Sequence, residues 1–358
     1  MKKYQALTLA TLLISTSCIE QDFFGLSPHA NIKAIEVTNQ AGTALINATE
    51  ATVIIEMPAG VDLSQTEIRT LSLSTFATST LSQGDVIDFR ETVAVTVTAE
   101  DGNSQTWQLI PEIATATPQL SNSDFNLWYQ ANGGYFEPGE SAANTIWGTG
   151  NPGTQLLGLL STTPIEIADD NFAPLMETLD NGRLAASLGF PIAAGTIYTG
   201  TFDTDKINPA DPEAAIDFGV PFAARPSAFK VKYQYEPGPE NKDRDGNVLD
   251  EPDGCDIYCL LEFRTTDGTR RLATAWFRGT DTQTELSEVM VDFTYGRLSS
   301  DFPDYTRPED DLYVEGDSAN IILPSHLTFV ASSSFGGATF QGAIGSELVI
   351  DDLELIYE

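Results

Sequence analysis

The chain has 358 residues, 41% of them hydrophobic, which is enough for two or three domains with their own cores and too apolar for a disordered chain. Its 52 acidic residues against 18 basic ones give a net charge of −34. That balance argues against nucleic acid and against direct docking on anionic membranes, while it suits a soluble secreted or surface protein and supplies carboxylates for calcium.

The first stretch reads as an address. Lys2 and Lys3 precede a short apolar run, Leu7 to Ile14, and Ser15-Thr16-Ser17 brings small residues up to Cys18. The run is too short to span a bilayer and reads as an export signal over residues 1–17. The cysteine behind it resembles a bacterial lipobox, although Ser15 stands where a large aliphatic residue is usual. Lipidation at Cys18 is therefore expected, with a tether over 18–30 and life at the outer membrane or cell surface. Glu20 and Asp22, just behind the cysteine, are similar to the surface-export signal of Bacteroidota lipoproteins.

Alternation begins at Ile32. Strands are expected at Ile32 to Thr38, Thr52 to Met57, Ile68 to Leu73 and Val86 to Phe89. A hairpin follows: Thr92 to Ala99 alternates, Glu100-Asp101-Gly102-Asn103 turns, and Thr106 to Ile110 returns. Val93, Val95 and Val97 share one face, and mid-strand Trp107 reads as core. Short strands without an amphipathic helix predict an immunoglobulin-like β-sandwich over 31–112, a spacer with nothing catalytic in it. Asp88-Phe89 and the run Val93 to Gly102 resemble the accessory sandwich domains at the front of Bacteroidota surface lipoproteins.

A Thr/Ala/Pro-rich stretch marks a linker at 113–120, and strands dominate again over 121–358. The strongest are Tyr198 to Phe202, Ala228 to Tyr235, Asp256 to Phe263, Leu272 to Phe277, Leu327 to Ser332 and Leu348 to Tyr357. Helical turns are conceivable at 171–179 and 209–216. The simplest closed architecture is a larger jelly-roll β-sandwich, so the fold class is all-β. Within it, Trp147-Gly148-Thr149-Gly150-Asn151-Pro152-Gly153-Thr154 concentrates backbone exceptions and reads as a shaped loop.

Several landmarks occur in a family-like order: Phe125-Asn126-Leu127-Trp128, Trp147 to Asn151, Tyr198-Thr199-Gly200, Asp256-Ile257-Tyr258, Leu327 to Ser334, and Gly345 to Leu355. Together they resemble the putative carbohydrate metabolism domain of Bacteroidota, over about residues 121 to 358. The resemblance implies a galactose-binding-like jelly roll and contact with carbohydrate. It supplies no catalytic set that can be carried over residue by residue.

Sugar sites need flat apolar faces for the C–H side of a pyranose and neutral polar groups for its hydroxyls. Trp128, Tyr129, Tyr135 and Trp147 offer the faces; Asn126, Gln130, Asn132, Asn144 and Asn151 offer the polar groups. The competing reading is that Trp128 and Trp147 pack the core. Trp276, between Ala275 and Phe277, reads as core.

Glycoside hydrolysis needs two facing carboxyls, and no spacing singles out a pair. Neither a Gly-x-Ser-x-Gly elbow nor a His-Glu-x-x-His motif occurs, and of the two histidines only His326 lies outside the tether. For metal, Asn241 to Val248 resembles the first half of a calcium loop through Asp243 and Asp245, but its twelfth position is Pro252, which favours an acidic hairpin turn. Asp351 or Asp352 offers a second calcium ligand near the chain's end, and alternation lets only one of the two face inward. Cys255 and Cys259 lie ~13 Å apart along a regular strand, so two buried thiols are preferred over a disulfide.

These features predict a lipid-anchored surface protein that binds glycan through its jelly roll, beside neighbouring polysaccharide-uptake proteins. The alternatives are a glycoside hydrolase on the same fold and an adhesive protein that binds another protein.

Overall fold

The computed structural model describes residues 25–115, 117–208, 211–265 and 267–357; the stretch expected to be an export signal and Cys18 lie outside them. The described chain is mostly β-structure in two units, a smaller N-terminal one and a larger C-terminal sandwich.

In the first unit a three-stranded sheet (Ile32–Val37, Thr66–Leu73, Val86–Ile87) faces a five-stranded one. The order of the second sheet is Leu45–Asn47, Thr52–Met57, Ser104–Ile113, Val93–Thr98, Thr78–Ser79. Thr52–Met57 and Ser104–Ile113 run parallel, and Val93–Thr98 pairs antiparallel with Ser104–Ile113. Val95 and Val97 point into the core with Ile55, Phe89 and Trp107, as their alternation requires. The Trp107 indole N–H donates to Ala30 O at 2.9 Å, so the buried ring keeps no free donor. Gly102 holds a φ of +88° in the hairpin turn, a backbone state that side-chain-bearing residues rarely adopt.

The second unit is the jelly-roll sandwich. Its main strands, numbered within the domain, are β1 (Trp147–Thr149), β2 (Thr162–Ala168), β3 (Asn171–Glu177), β4 (Thr196–Phe202), β5 (Ala228–Glu236), β6 (Cys255–Thr265), β7 (Gly268–Gly279), β8 (Gln283–Asp292), β9 (Thr294–Tyr295), β10 (His326–Ser332) and β11 (Glu347–Ile356). The larger sheet runs β1-β4-β10-β6-β7-β9, extended by Ile216–Phe218 on β4 and Val220–Pro221 on β10. The smaller sheet runs β2-β3-β11-β5-β8. Between them lie Trp147, Ile197, Phe229, Val231, Ile257, Cys259, Leu261, Phe329 and Ile350. Burial of side chains of this size, at roughly 1.5–3 kcal/mol each, is what holds the two sheets together.

Several expectations are corrected here. Residues 171–179 are not helical: Asn171–Glu177 is strand β3, paired on both sides, because Ala173 and Met176 enter the core while Pro174 breaks any helix. The Trp147 to Thr154 stretch is more regular than a loop. Its first residues form β1, and Asn151–Thr154 is one helical turn. Pro152 sits at the start of that turn, where a missing N–H costs nothing. Gly148 is required by a close approach, since a Cβ there would stand 2.7 Å from the Tyr198 ring. Cys255 and Cys259, by contrast, are the buried free thiols that their spacing predicts. The segment after Ser104–Ile113 docks on the second domain: Gln119 exchanges two hydrogen bonds with the Leu355 backbone, and Tyr357 donates to Pro118 O at 2.6 Å.

Candidate functional site

Alternation along the strands of the larger sheet gives it two chemically different faces. Ile257, Cys259, Leu261, Ala273, Ala275 and Phe277 point into the sandwich. Their neighbours point outward, and strand register lines them up in rows. One row joins Thr196, Ser332, Asp256 and Arg278. The next joins Gly148, Tyr198, Val330, Tyr258 and Trp276. Further along come Thr328, Leu260 and Thr274, then His326, Glu262 and Arg271.

Tyr258 and Trp276 stack in the middle of this face, with ring centroids 3.9 Å apart and planes inclined by 16°. Tyr305, on a one-turn segment crossing the face, meets the edge of Trp276 at 5.9 Å and is 42% exposed. Arg278 is fixed twice. Its Nε and Nη2 donate to both oxygens of Asp256 at 2.7 and 2.6 Å, and its guanidinium lies 3.6 Å from the Tyr305 centroid and 4.3 Å from that of Phe335. Burial pushes the Asp256 carboxyl above the usual carboxylate range, and Arg278 opposes that shift. The Trp276 indole N–H is buried and turned toward the Asp256 carboxyl, whose proton affinity it helps to lower, outside ideal hydrogen-bond geometry.

Lower on the face, Glu262 accepts from Arg264 Nε at 3.1 Å and Nη2 at 2.6 Å. His326 Nδ1 lies 2.9 Å from Ser325 Oγ, and burial, helped by Arg264, pushes the imidazole down to about 3, so it stays neutral. The face thus brings stacked rings and an oriented guanidinium close together.

The residues singled out from sequence do not assemble into an open cleft. Trp147 is 2% exposed, packed between Phe125 at 5.0 Å and Phe329 at 5.8 Å, with its N–H given to Ser121 O. A cleft of about 330 Å³ between the two domains, lined by Leu45, Glu56, Gln119, Asn144 and Phe222, reaches its rim but leaves the ring enclosed. Asn151 is wholly buried and exchanges both amide groups with the Thr162 backbone. Both residues are buried where ligand contacts were expected, because Trp147 points inward from the edge strand β1 and Asn151 is tied to the start of β2.

Trp128 and Tyr129 are half-buried on a hairpin, Trp128–Gln130 paired with Phe136–Pro138, and Tyr135 is buried at its turn. The Trp128 N–H is used by Phe125 O. Asn126 accepts from Phe172 N at 2.8 Å. This hairpin sets Glu137 opposite Tyr129 and directs its carboxyl at Thr149, whose Oγ1 donates to it at 2.8 Å. Glu137 is 5% exposed, and burial pushes its carboxyl up to about 7 against the pull of Thr149. Tyr198 donates to Thr149 O at 3.1 Å, closing this buried edge of the outer face.

Asp243 and Asp352, two of the residues expected to hold metal, are engaged within the protein. Asp243 accepts from the backbone N–H groups of Asp245 and Asn247 and from the Asn247 amide, which makes the acidic hairpin turn; Asp245 is exposed on it. Asp351 points inward, and Asp352 points outward to Lys232 Nζ at 2.6 Å. No group of three or more His, Cys, Asp or Glu suited to a metal occurs among the described residues.

Sequence reading missed Trp276, Tyr258, Arg278 and Asp256 as a set. The signal was available: Thr274-Trp276-Arg278 alternates against Ala273-Ala275-Phe277, and Asp256-Tyr258 against Ile257-Cys259. Apolar neighbours on both sides of Trp276 hid the change of face.

Fold and site together define a two-domain all-β protein whose larger sandwich presents an aromatic and charged sheet face. The chain belongs to the family of the Putative carbohydrate metabolism domain, whose family model matches residues 119–356. A second model, SGBP, N-terminal, matches residues 32–110. Among solved structures, a protein of Bacteroides thetaiotaomicron VPI-5482 named a "putative glycoside hydrolase" is 22% identical, with 93% of this chain and 98% of that one covered and a TM-score of 0.59. Another so named, from Bacteroides vulgatus ATCC 8482, is 25% identical over 66% of this chain and 97% of that one, with a TM-score of 0.53. No curated protein matches the chain.

Proposed function

We propose that the protein is a surface-held lipoprotein that captures glycan on the outer face of its larger sheet, with Trp276, Tyr258, Tyr305 and Arg278 as the contact set. The carrying observation is the Tyr258–Trp276 stack beside the clamped Arg278. An outer side of the stack supplies an apolar surface for sugar C–H groups, while the free edge of the guanidinium addresses hydroxyls. Membership of a carbohydrate-related family and the surface-glycan-binding type of N-terminal domain support the same reading. Lipidation at Cys18 behind the export signal would hold the protein at the cell surface.

Hydrolysis is the second reading, favoured by the proton that Glu137 keeps to about 7. The geometry supports it less well. Asp256, itself buried, and Glu262 are each tied to an arginine, and Glu137 is enclosed. Electrophoresis through gels cast with plant, host and microbial polysaccharides tests the proposal. Retardation by at least one polymer is expected, and Trp276→Ala should abolish it while the circular dichroism spectrum is kept. Full retardation of a folded Trp276→Ala protein would move the site elsewhere, and release of reducing sugar, lost in Glu137→Gln, would favour the hydrolase.

A further inference from the structure

The outer face contains one arginine, Arg271, that forms no salt bridge among the described residues, although Glu262 and Asp310 act on it electrostatically. Of the half-buried arginines among the described residues, Arg225 is capped by two backbone carbonyls and lies over the Tyr295 ring. Arg264 is paired with Glu262, Arg278 with Asp256, and Arg307 with Asp304. Arg271 meets no carboxylate, carbonyl or ring through its side chain; its one side-chain bond is a 3.3 Å contact from Nη1 to Thr274 Oγ1. In a chain with a net charge of −34, a half-buried guanidinium left unpaired stands out.

Its place is built. The backbone of Arg271 is pinned on two sides, by its antiparallel partner Glu262 and by Leu312 and Val314, whose segment lies along the edge of β7. The side chain is thereby held on the same outer face as Tyr258 and Trp276. Glu262, the nearest acid along the sheet, is already spent on Arg264 through two hydrogen bonds. Burial lowers the proton affinity of Arg271, the expected mark of a cation removed from water without full compensation. A guanidinium fork with open N–H groups matches a carboxylate or a sulfate in two-point contact, and a partly desolvated site strengthens that contact.

We propose that the glycan captured on this face carries an anionic substituent, a uronic carboxylate or a sulfate ester, and that Arg271 is its ligand. The inference rests on the glycan-binding reading above and deepens it. The overall negative charge of the protein slows the approach of such a polymer, but exposed charges are screened beyond ~8 Å at physiological ionic strength, so the local cation decides the bound state.

The test uses the full chain in affinity electrophoresis against a neutral dextran, dextran sulfate, a neutral galactan and polygalacturonate. Binding to the sulfated or the uronate polymer above its neutral counterpart is expected, and which of the two binds identifies the anion. Arg271→Gln should weaken that binding by about tenfold or more, Arg271→Lys by less, and Arg270→Gln at the exposed neighbouring position should change nothing. Thermal melting of each variant separates lost contact from lost folding. Equal or stronger binding of the neutral polymers, or an Arg271→Gln protein that still discriminates, would overturn the anionic inference and leave glycan capture standing. Failure to bind any polymer in this and the wider polysaccharide panel would overturn both.

Discussion

Glu137 gives the sharpest prediction about stability. Its carboxyl is 5% exposed, accepts one hydroxyl from Thr149, and holds its proton to about 7 against an ordinary value of 4.5. In the unfolded chain the proton leaves near pH 4.5; in the folded chain it stays until about 7. Below pH 4.5 both states are protonated and Glu137 contributes no pH dependence. Between 4.5 and 7 the folded state binds more protons, so stability falls as pH rises, and above 7 the full cost is present. The gap corresponds to roughly 3 kcal/mol, taking about 1.4 kcal/mol per pH unit. Glu137→Gln keeps the shape and the contact with Thr149 but cannot ionise. Urea unfolding followed by tryptophan fluorescence should therefore give equal stability for the two proteins at pH 4.5 and a variant more stable by up to about 3 kcal/mol at pH 8. The difference between the two curves isolates Glu137 from other acids raised by burial, such as Asp256 and Asp351. A pH-independent difference, or a variant less stable than the parent at pH 8, would show that the carboxylate is ionised in the fold and would refute the argument.

Trp147→Ala removes a ring enclosed by Phe125 and Phe329 and should cost about 3–5 kcal/mol, seen as a lowered melting temperature with glycan retardation kept at low temperature. Binding lost without a change in melting would restore Trp147 as a contact. Cys255 and Cys259 are buried, with burial pushing the Cys255 thiol up to about 12, so with Cys18 replaced by serine neither should react with a thiol reagent at pH 8 until denaturant is added. Prompt native labelling would contradict their place between the sheets.

The all-β character and the main strands were legible because period-two alternation is strong in Val93–Thr98, Cys255–Thr265 and Glu347–Ile356, each with one face in a core. Less visible were β2, β3 and β8. Pro164 and Pro174 lie opposite each other in the β2–β3 pair, and β8, at the edge of the smaller sheet, has much of its surface in water, so neither pattern is cleanly apolar. The candidate sheet face was overlooked for a related reason. Aromatic density drew attention to Trp128 through Trp147, yet those rings close the sheet edge. Trp276 looked like core because its neighbours are core, and facing is a property of the strand's phase. The unpaired state of Arg271 has no sequence signature at all: it emerges only when Arg264 and Arg278 are seen to take the two available acids.

The strand that leaves the first domain, Ser104–Ile113, is flanked on both sides, parallel to Thr52–Met57 and antiparallel to Val93–Thr98. Were the N-terminus held and the second domain pulled, tension would enter the first domain along this strand's axis. Its hydrogen bonds are then loaded together in shear, where a hairpin pulled from its open end would unzip one bond at a time. On the proposed reading of an anchored glycan binder, the first domain would serve as a coupling that bears load.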